Sequence, residues 1–208
     1  MNYIIIEGPD GSGKTSLVSK LKDLISDLGH NVEIVREPGG TPMAESLRAL
    51  LKDREIPRSR ECEMLAMMAA RADTIHTKVI PALDAGTVVL SDRGNPSTYA
   101  YQAHGTSALV HAYEKLRPLA MPIQPLYIFL DVSFEESMRR RADSDVDALE
   151  ARYMTEDKFN ELRKAYAVAA AMEPFSSVVD TSNMTKDQVC QEVLLIVRSH
   201  LVPFGRLV

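Results

Sequence analysis

Short apolar runs bounded by turn residues alternate along the chain with longer stretches of helical period, a pattern that predicts a parallel sheet covered by helices. Runs rich in Ile, Val, Leu and aromatic residues fall at residues 3–7, 32–35, 87–91, 126–131 and 177–180. Each is short enough to be a buried strand. The helices predicted between them cover residues 14–28, closed by Gly29, then 43–52, 60–85 with Pro81 near its end, 106–119, 134–141, 156–172 and 186–200. The expected architecture is α/β, three-layered α/β/α, with five parallel strands. No internal repeat or linker-like shift interrupts the pattern, so residues 1–208 are expected to form one domain. The polar stretch ADSDVDALE, residues 142–150, reads as a mobile loop.

Composition narrows the classes. The chain of 208 residues is 45% hydrophobic and 25% charged, and a single core of this size buries roughly 70% of the unfolded surface without disulfides or a structural metal. Cys62 and Cys190 have no C-x-x-C spacing and read as free thiols of a reducing compartment. No apolar run approaches the ~18 residues of a membrane helix, and residues 1–7 lack a basic leader region. A cytoplasmic protein without membrane association is expected. The net charge of -5 disfavours a polyanion-binding surface, so no nucleic-acid partner is expected.

The strongest chemical signal is local. Residues 8–15 read GPDGSGKT, the pattern G-x-x-x-x-G-K-S/T, after one predicted strand and at the start of a helix. Gly8, Gly11 and Gly13 permit a tight turn whose N–H groups, with those of Ser12 and Ser16 nearby, would face phosphate oxygens at a helix N-terminus. Lys14 suits the β/γ-phosphates of ATP and the Thr15 hydroxyl suits Mg²⁺. This P-loop does not distinguish a kinase from a GTPase or a motor, although the chain has no N-K-x-D guanine-reading segment. The acceptor must be read elsewhere. REPGGT (residues 36–41) and SDRGNPSTYAYQ (residues 91–102) follow the second and third predicted strands, at the strand ends where open α/β sheets bind ligands.

GPDGSGKT, REPGGTPMAESLRALL, MMAAR and DRGNPSTYAYQ occur here in the order and spacing of the thymidylate kinase family, and the chain resembles that family over essentially its whole length. The resemblance implies a P-loop kinase fold with a short mobile lid at approximately residues 142–152, transfer of the ATP γ-phosphate to dTMP to give dTDP, Mg²⁺ as cofactor, and a homodimer. It places Asp10 near the acceptor 3′-hydroxyl and Asp92 beside Mg²⁺, with Thr15. Arg48 and Arg93 match the arginines that hold the acceptor phosphate, with Arg36 supporting them and Pro38 and Ser97 beside them. Arg71 matches the reader of the thymine O4, Thr98 and Gln102 the partners of the base edge, and Tyr101 the aromatic near the sugar 2′ position. Bland readings stand beside these: Asp10 as a turn residue, Arg48 as solvated, Tyr101 as core packing.

The chain departs from the family in two places. Met67 occupies the position of the aromatic that stacks on thymine; it lies four residues before Arg71, hence on the same helix face, and it either lines the base or packs the core with Met64 and Met68. The Asp-Arg pair followed by Glu in the lid of the bacterial branch is here Asp147, Ala148, Leu149, Glu150. Gly11 also lacks the arginine that the other branch carries in the phosphate loop. Arg139, Arg140, Arg141 and Arg152 are close in sequence, and Arg141 or Arg152 is the expected replacement, although a cationic cluster also suits a solvated helix end. Two alternatives follow: a sister kinase acting on a 5-substituted dUMP, and a nucleotide-binding homologue with impaired catalysis.

Overall fold

The computed structural model describes residues 1–53, 55–142 and 149–201. Among them five strands form one parallel sheet in the order β2-β3-β1-β4-β5: β1 (Tyr3–Glu7), β2 (Val32–Arg36), β3 (Val88–Asp92), β4 (Leu126–Asp131) and β5 (Ser176–Asp180). The period-2 alternation of β1 separates two cores. Ile4 and Ile6 pack with Leu17, Leu21 and Ile25 of α1 (Lys14–Asp27) and Val193 of α9 (Lys186–His200). Tyr3 and Ile5 face the other way, toward Met64 of α3 (Arg60–Thr74), Tyr113 of α6 (Ser107–Ala120) and Leu162 of α8 (Glu156–Ala171). Each wholly buried Ile or Leu is worth roughly 1.5–3 kcal/mol, and the two cores account for the three layers.

The long helix expected over residues 60–85 is not uniform. It runs as α3, then a π-helical turn (Ile75–Val79), then α4 (Ile80–Asp84). The widened turn ends two residues before Pro81, which lacks an N–H and whose ring would crowd the carbonyl four residues earlier in a regular α-helix. A second departure is α5 (Asn95–Thr98), which continues into a π-helical turn (Tyr99–Ala103) where the sequence pattern placed no helix. Pro96 falls in the first turn of α5, where a missing N–H is tolerated.

The remaining helices are α2 (Pro42–Lys52) and α7 (Phe134–Arg140). Thr41 caps α2 by accepting the Ala44 N–H at 3.1 Å, and Ser133 caps α7 by accepting the Glu136 N–H at 3.2 Å. Most of the expected lid, including Asp147 and Ala148, lies outside the described residues; its far side is a 3₁₀ turn (Glu150–Tyr153). Among the described residues no helix is long and apolar enough to cross a membrane.

Candidate active site

Parallel pairing of β1 with both β3 and β4 puts the loops after β1, β2 and β3 at one end of the sheet. They open into a cavity of about 930 Å³. Every predicted site residue lines it except Gly8, Ser12 and Arg152. Ser12 faces a second cavity, of about 350 Å³, between α1, α7 and α9.

The loop of residues 8–15 needs its glycines for stated reasons. Gly11 has φ +81°, and a Cβ there would stand 2.9 Å from the Ser137 Cα on α7, so an arginine side chain at this position has no room. Ser137 also donates to the Asp10 carbonyl at 2.6 Å, bracing the loop. Lys14 is buried; its ammonium donates to the Pro9 carbonyl at 2.9 Å and lies 3.6 Å from the Asp10 carboxylate. Burial and the nearby Arg93 lower its pKa, against the pull of Asp10 and Asp92.

Thr15 donates its hydroxyl to Asp92 at 2.7 Å. These are two hard oxygen groups converging beside the phosphate loop, as Mg²⁺ requires when phosphates and water complete its shell. Among the described residues no group of three or more His, Cys, Asp or Glu is placed to hold a metal ion.

Around Asp10, Arg93 and Arg71 the charges are interlocked, with Arg71 and Glu37 buried and Arg93 and Asp10 partly buried. Arg93, a non-glycine at φ +76°, pairs with Asp10 through Nη2 and donates through Nη1 to Ser97 at 3.1 Å, Tyr166 at 3.0 Å and the Gly8 carbonyl at 3.3 Å. Tyr101 donates to Asp10 at 2.8 Å, and the Arg93 guanidinium carbon lies 5.5 Å from the Tyr101 ring centre. Burial alone would raise the Asp10 pKa, but Arg93 and Lys14 hold it well below the usual carboxylate range. Arg71 pairs with Glu37 at 2.5 Å and donates to the Gly94 carbonyl at 2.8 Å and to Thr98 at 3.1 Å. Burial raises the Glu37 pKa against the opposing pull of Arg71. Gln102 is buried with its Nε2 unpartnered, and Met67 lines the same wall.

Other predicted residues take different partners. Arg48 donates to the Pro38 carbonyl at 2.9 Å and lines the cavity. Arg36 is half exposed and pairs with Glu45 at 3.0 Å rather than supporting Arg48 or Arg93. Arg141 lines the cavity, and its charge is among those that lower the Asp10 pKa. Arg152 lies elsewhere: it is an ion-pair partner of the fully buried Glu63, Nη1 to Oε2 at 2.9 Å. A buried carboxylate is costly unless paired, and Glu63, which also receives Arg58 at 3.0 Å, recruits the nearest cations.

The sequence reading passed over Glu7, Glu37 and Tyr166. Glu7 and Glu37 each follow an apolar strand and immediately precede a glycine-containing loop, a signal legible in hindsight. Tyr166 sits on the apolar stripe of α8 and carries no such mark. Glu7 is fully buried, and burial raises its pKa to about 7, moderated by Arg93, Ser97 and Gly94.

Comparison with known proteins agrees with this geometry. The family model described as thymidylate kinase matches residues 6–193. A thymidylate kinase of Geobacter sp. (strain M21) is 36% identical over 189 residues, covering 86% of this chain and 84% of its own. One of Alteromonas mediterranea is 32% identical over 203 residues, covering 96% and 90%. The crystal structure of thymidylate kinase from Ehrlichia chaffeensis superposes with a TM-score of 0.75 at 26% identity, covering 94% of this chain and 97% of that one. With the family model matching most of the chain and relatives above 30% identity covered over most of their length, the chain belongs to the thymidylate kinase family.

Proposed function

We propose that this chain transfers the γ-phosphate of ATP to dTMP, giving dTDP. The observation that carries the reading is the joining of two recognition sets in one cavity: the phosphate loop with Lys14, and the acceptor wall of Asp10, Arg93, Arg71, Thr98 and Gln102.

Each side chain has a chemical task. Lys14, now on the Pro9 carbonyl, exchanges that acceptor for the β/γ-phosphates. Arg48 and Arg93 hold the acceptor phosphate, a doubly forked anion suited to guanidinium. Asp10 and Tyr101 lie at the sugar, Asp10 accepting from its 3′-hydroxyl. Arg71 donates to the base O4, the unpartnered Gln102 amide meets the base edge, and Met67 lies against the ring face. Thr15 and Asp92 would hold Mg²⁺, which when bound neutralises the charge of the β/γ-phosphate oxygens. The acceptor phosphate is already ionised at neutral pH, so catalysis rests on in-line positioning and charge neutralisation rather than on a strong base. Arg141 supplies the lid cation. The family resemblance supports a homodimer, and the composition supports a cytoplasmic enzyme without nucleic-acid or membrane partners.

The test presents purified chain and Mg²⁺-ATP separately with dTMP, dUMP, 5-substituted dUMP, dCMP, dGMP and dAMP. The expected result is the highest kcat/KM for dTMP. A higher value for a 5-substituted dUMP would assign Met67 to accommodating larger groups, and phosphorylation of none would overturn the reading.

A further inference from the structure

We propose that Glu7 is the positioning residue for Arg93, acting through Ser97 and Tyr166 to aim the guanidinium at Asp10 and the cavity. The inference rests on the kinase reading above and assigns a role to a side chain that touches no substrate.

The Glu7 carboxylate is wholly buried at the end of β1. Its Oε1 accepts the N–H groups of Gly94 at 2.7 Å and Ser97 at 3.1 Å, and its Oε2 accepts the Ser97 hydroxyl at 2.7 Å. Above about pH 7 the Glu7 carboxylate is ionised and only accepts, so the Ser97 proton then points toward Glu7. That leaves the Ser97 lone pairs for Arg93 Nη1 at 3.1 Å and the Tyr166 hydroxyl at 2.9 Å. Tyr166, donating to Ser97, turns its own lone pairs toward Arg93 Nη1 at 3.0 Å. One buried charge thus sets the proton order of the whole chain. Nη1 is saturated by Ser97, Tyr166 and the Gly8 carbonyl, and Nη2 is left facing Asp10.

The backbone repeats the same logic. Arg93 stands at φ +76°, a region that non-glycine residues enter only where the surroundings over-determine it, and Glu7 holds the next N–H, that of Gly94. A Cβ on Gly94 would come within 2.9 Å of Ile5 Cδ1, so this turn has little freedom to relax.

Glu7→Gln tests the role because the amide keeps one oxygen for both backbone N–H groups and converts only the other acceptor into a donor. At pH 8 and saturating ATP, kcat should fall about tenfold while KM for ATP moves less than about twofold, the split expected when a transition-state contact is misaligned. In an Arg93→Ala background the same substitution should change kcat less than about twofold, because the residue it positions is gone. Tyr166→Phe, which removes one hydroxyl from the relay, is measured in the same cycle and decides the matter should Glu7→Gln fail to fold. Wild-type kcat in Glu7→Gln, or an equal loss with and without Arg93, would overturn this role alone. A wild-type chain that phosphorylates no monophosphate would overturn the kinase reading and this role together.

Discussion

The two sides of the cavity are built in different ways. On the acceptor side, Arg71 with Glu37 is a buried ion pair and Arg93 with Asp10 a partly buried one, both held further by Thr98, Ser97, Tyr166 and backbone carbonyls. On the lid side Arg139 and Arg140 share Glu136 on α7; the Arg139 side chain is 72% exposed, whereas Arg140 is held further by the Gly11 carbonyl and by Thr181. Buried pairs lock geometry because removing one partner strands the other in a medium that cannot solvate it. Exposed pairs contribute ~0–1 kcal/mol and exchange partners readily. The acceptor wall around the buried Arg71 is therefore formed before substrate arrives, whereas the exposed Arg139 can exchange its partner for the donor.

The comparison breaks most visibly at Arg71. Arg71→Ala should cost about 3–5 kcal/mol of stability by leaving Glu37 buried and unpaired, together with a large rise in KM for dTMP. Chemical denaturation and steady-state kinetics measure the two losses. Lys14→Ala should lower kcat by about 10²–10³-fold, with the denaturation midpoint nearly unchanged.

A pH series sharpens the contrast. Glu7 has a folded-state pKa of about 7 against an ordinary 4.5, so between those values the folded chain keeps a proton that the unfolded chain releases. Stability from this group is therefore greatest below about pH 4.5 and falls as pH rises to about 7, by at most about 3 kcal/mol. Asp10 has the opposite sign, since its lowered pKa stabilises the fold above the usual carboxylate range and fails only on further acidification. The stability difference between wild type and Glu7→Gln, followed by denaturation from pH 4 to 8, should carry the Glu7 slope. A difference independent of pH would contradict it.

The smallest effect separates the two candidate lid arginines. Arg141→Ala should lower kcat by about tenfold with little change in KM, as for a cation acting in the transition state. Arg152→Ala should leave kcat near wild type and lower stability, since its partner is Glu63. Equal kinetic effects at both positions would erase the distinction.

Legibility in the sequence followed distance along the chain. The strands Tyr3–Glu7 and Leu126–Asp131 and the phosphate loop were readable because alternation, glycine spacing and the Lys14–Thr15 pair are local patterns. Arg71, Thr98 and Gln102, the residues proposed to meet the acceptor base, were readable only through the family resemblance, since on their helices they look like ordinary polar positions. The Glu7–Ser97–Tyr166–Arg93 relay had no local signature: it joins β1, α5, α8 and the end of β3, and only the parallel sheet brings them together. Arg152 pairs with Glu63, which nearness to the lid in sequence could not reveal, because it carries no information about a buried carboxylate on α3. Met67 turned out to be both of the things weighed for it, buried and part of the cavity wall.

The central claim is that the acceptor wall is preformed and holds dTMP without the lid-side cations. Calorimetric titration of dTMP into the chain without ATP tests it directly, in the wild type and in Arg141→Ala and Arg71→Ala. The account predicts that dTMP binds without ATP, with affinity unchanged within about twofold in Arg141→Ala and reduced by about tenfold or more in Arg71→Ala, where a charged donor to the base is lost. Binding of dTMP that requires ATP, or that Arg141→Ala weakens as much as Arg71→Ala does, would contradict it.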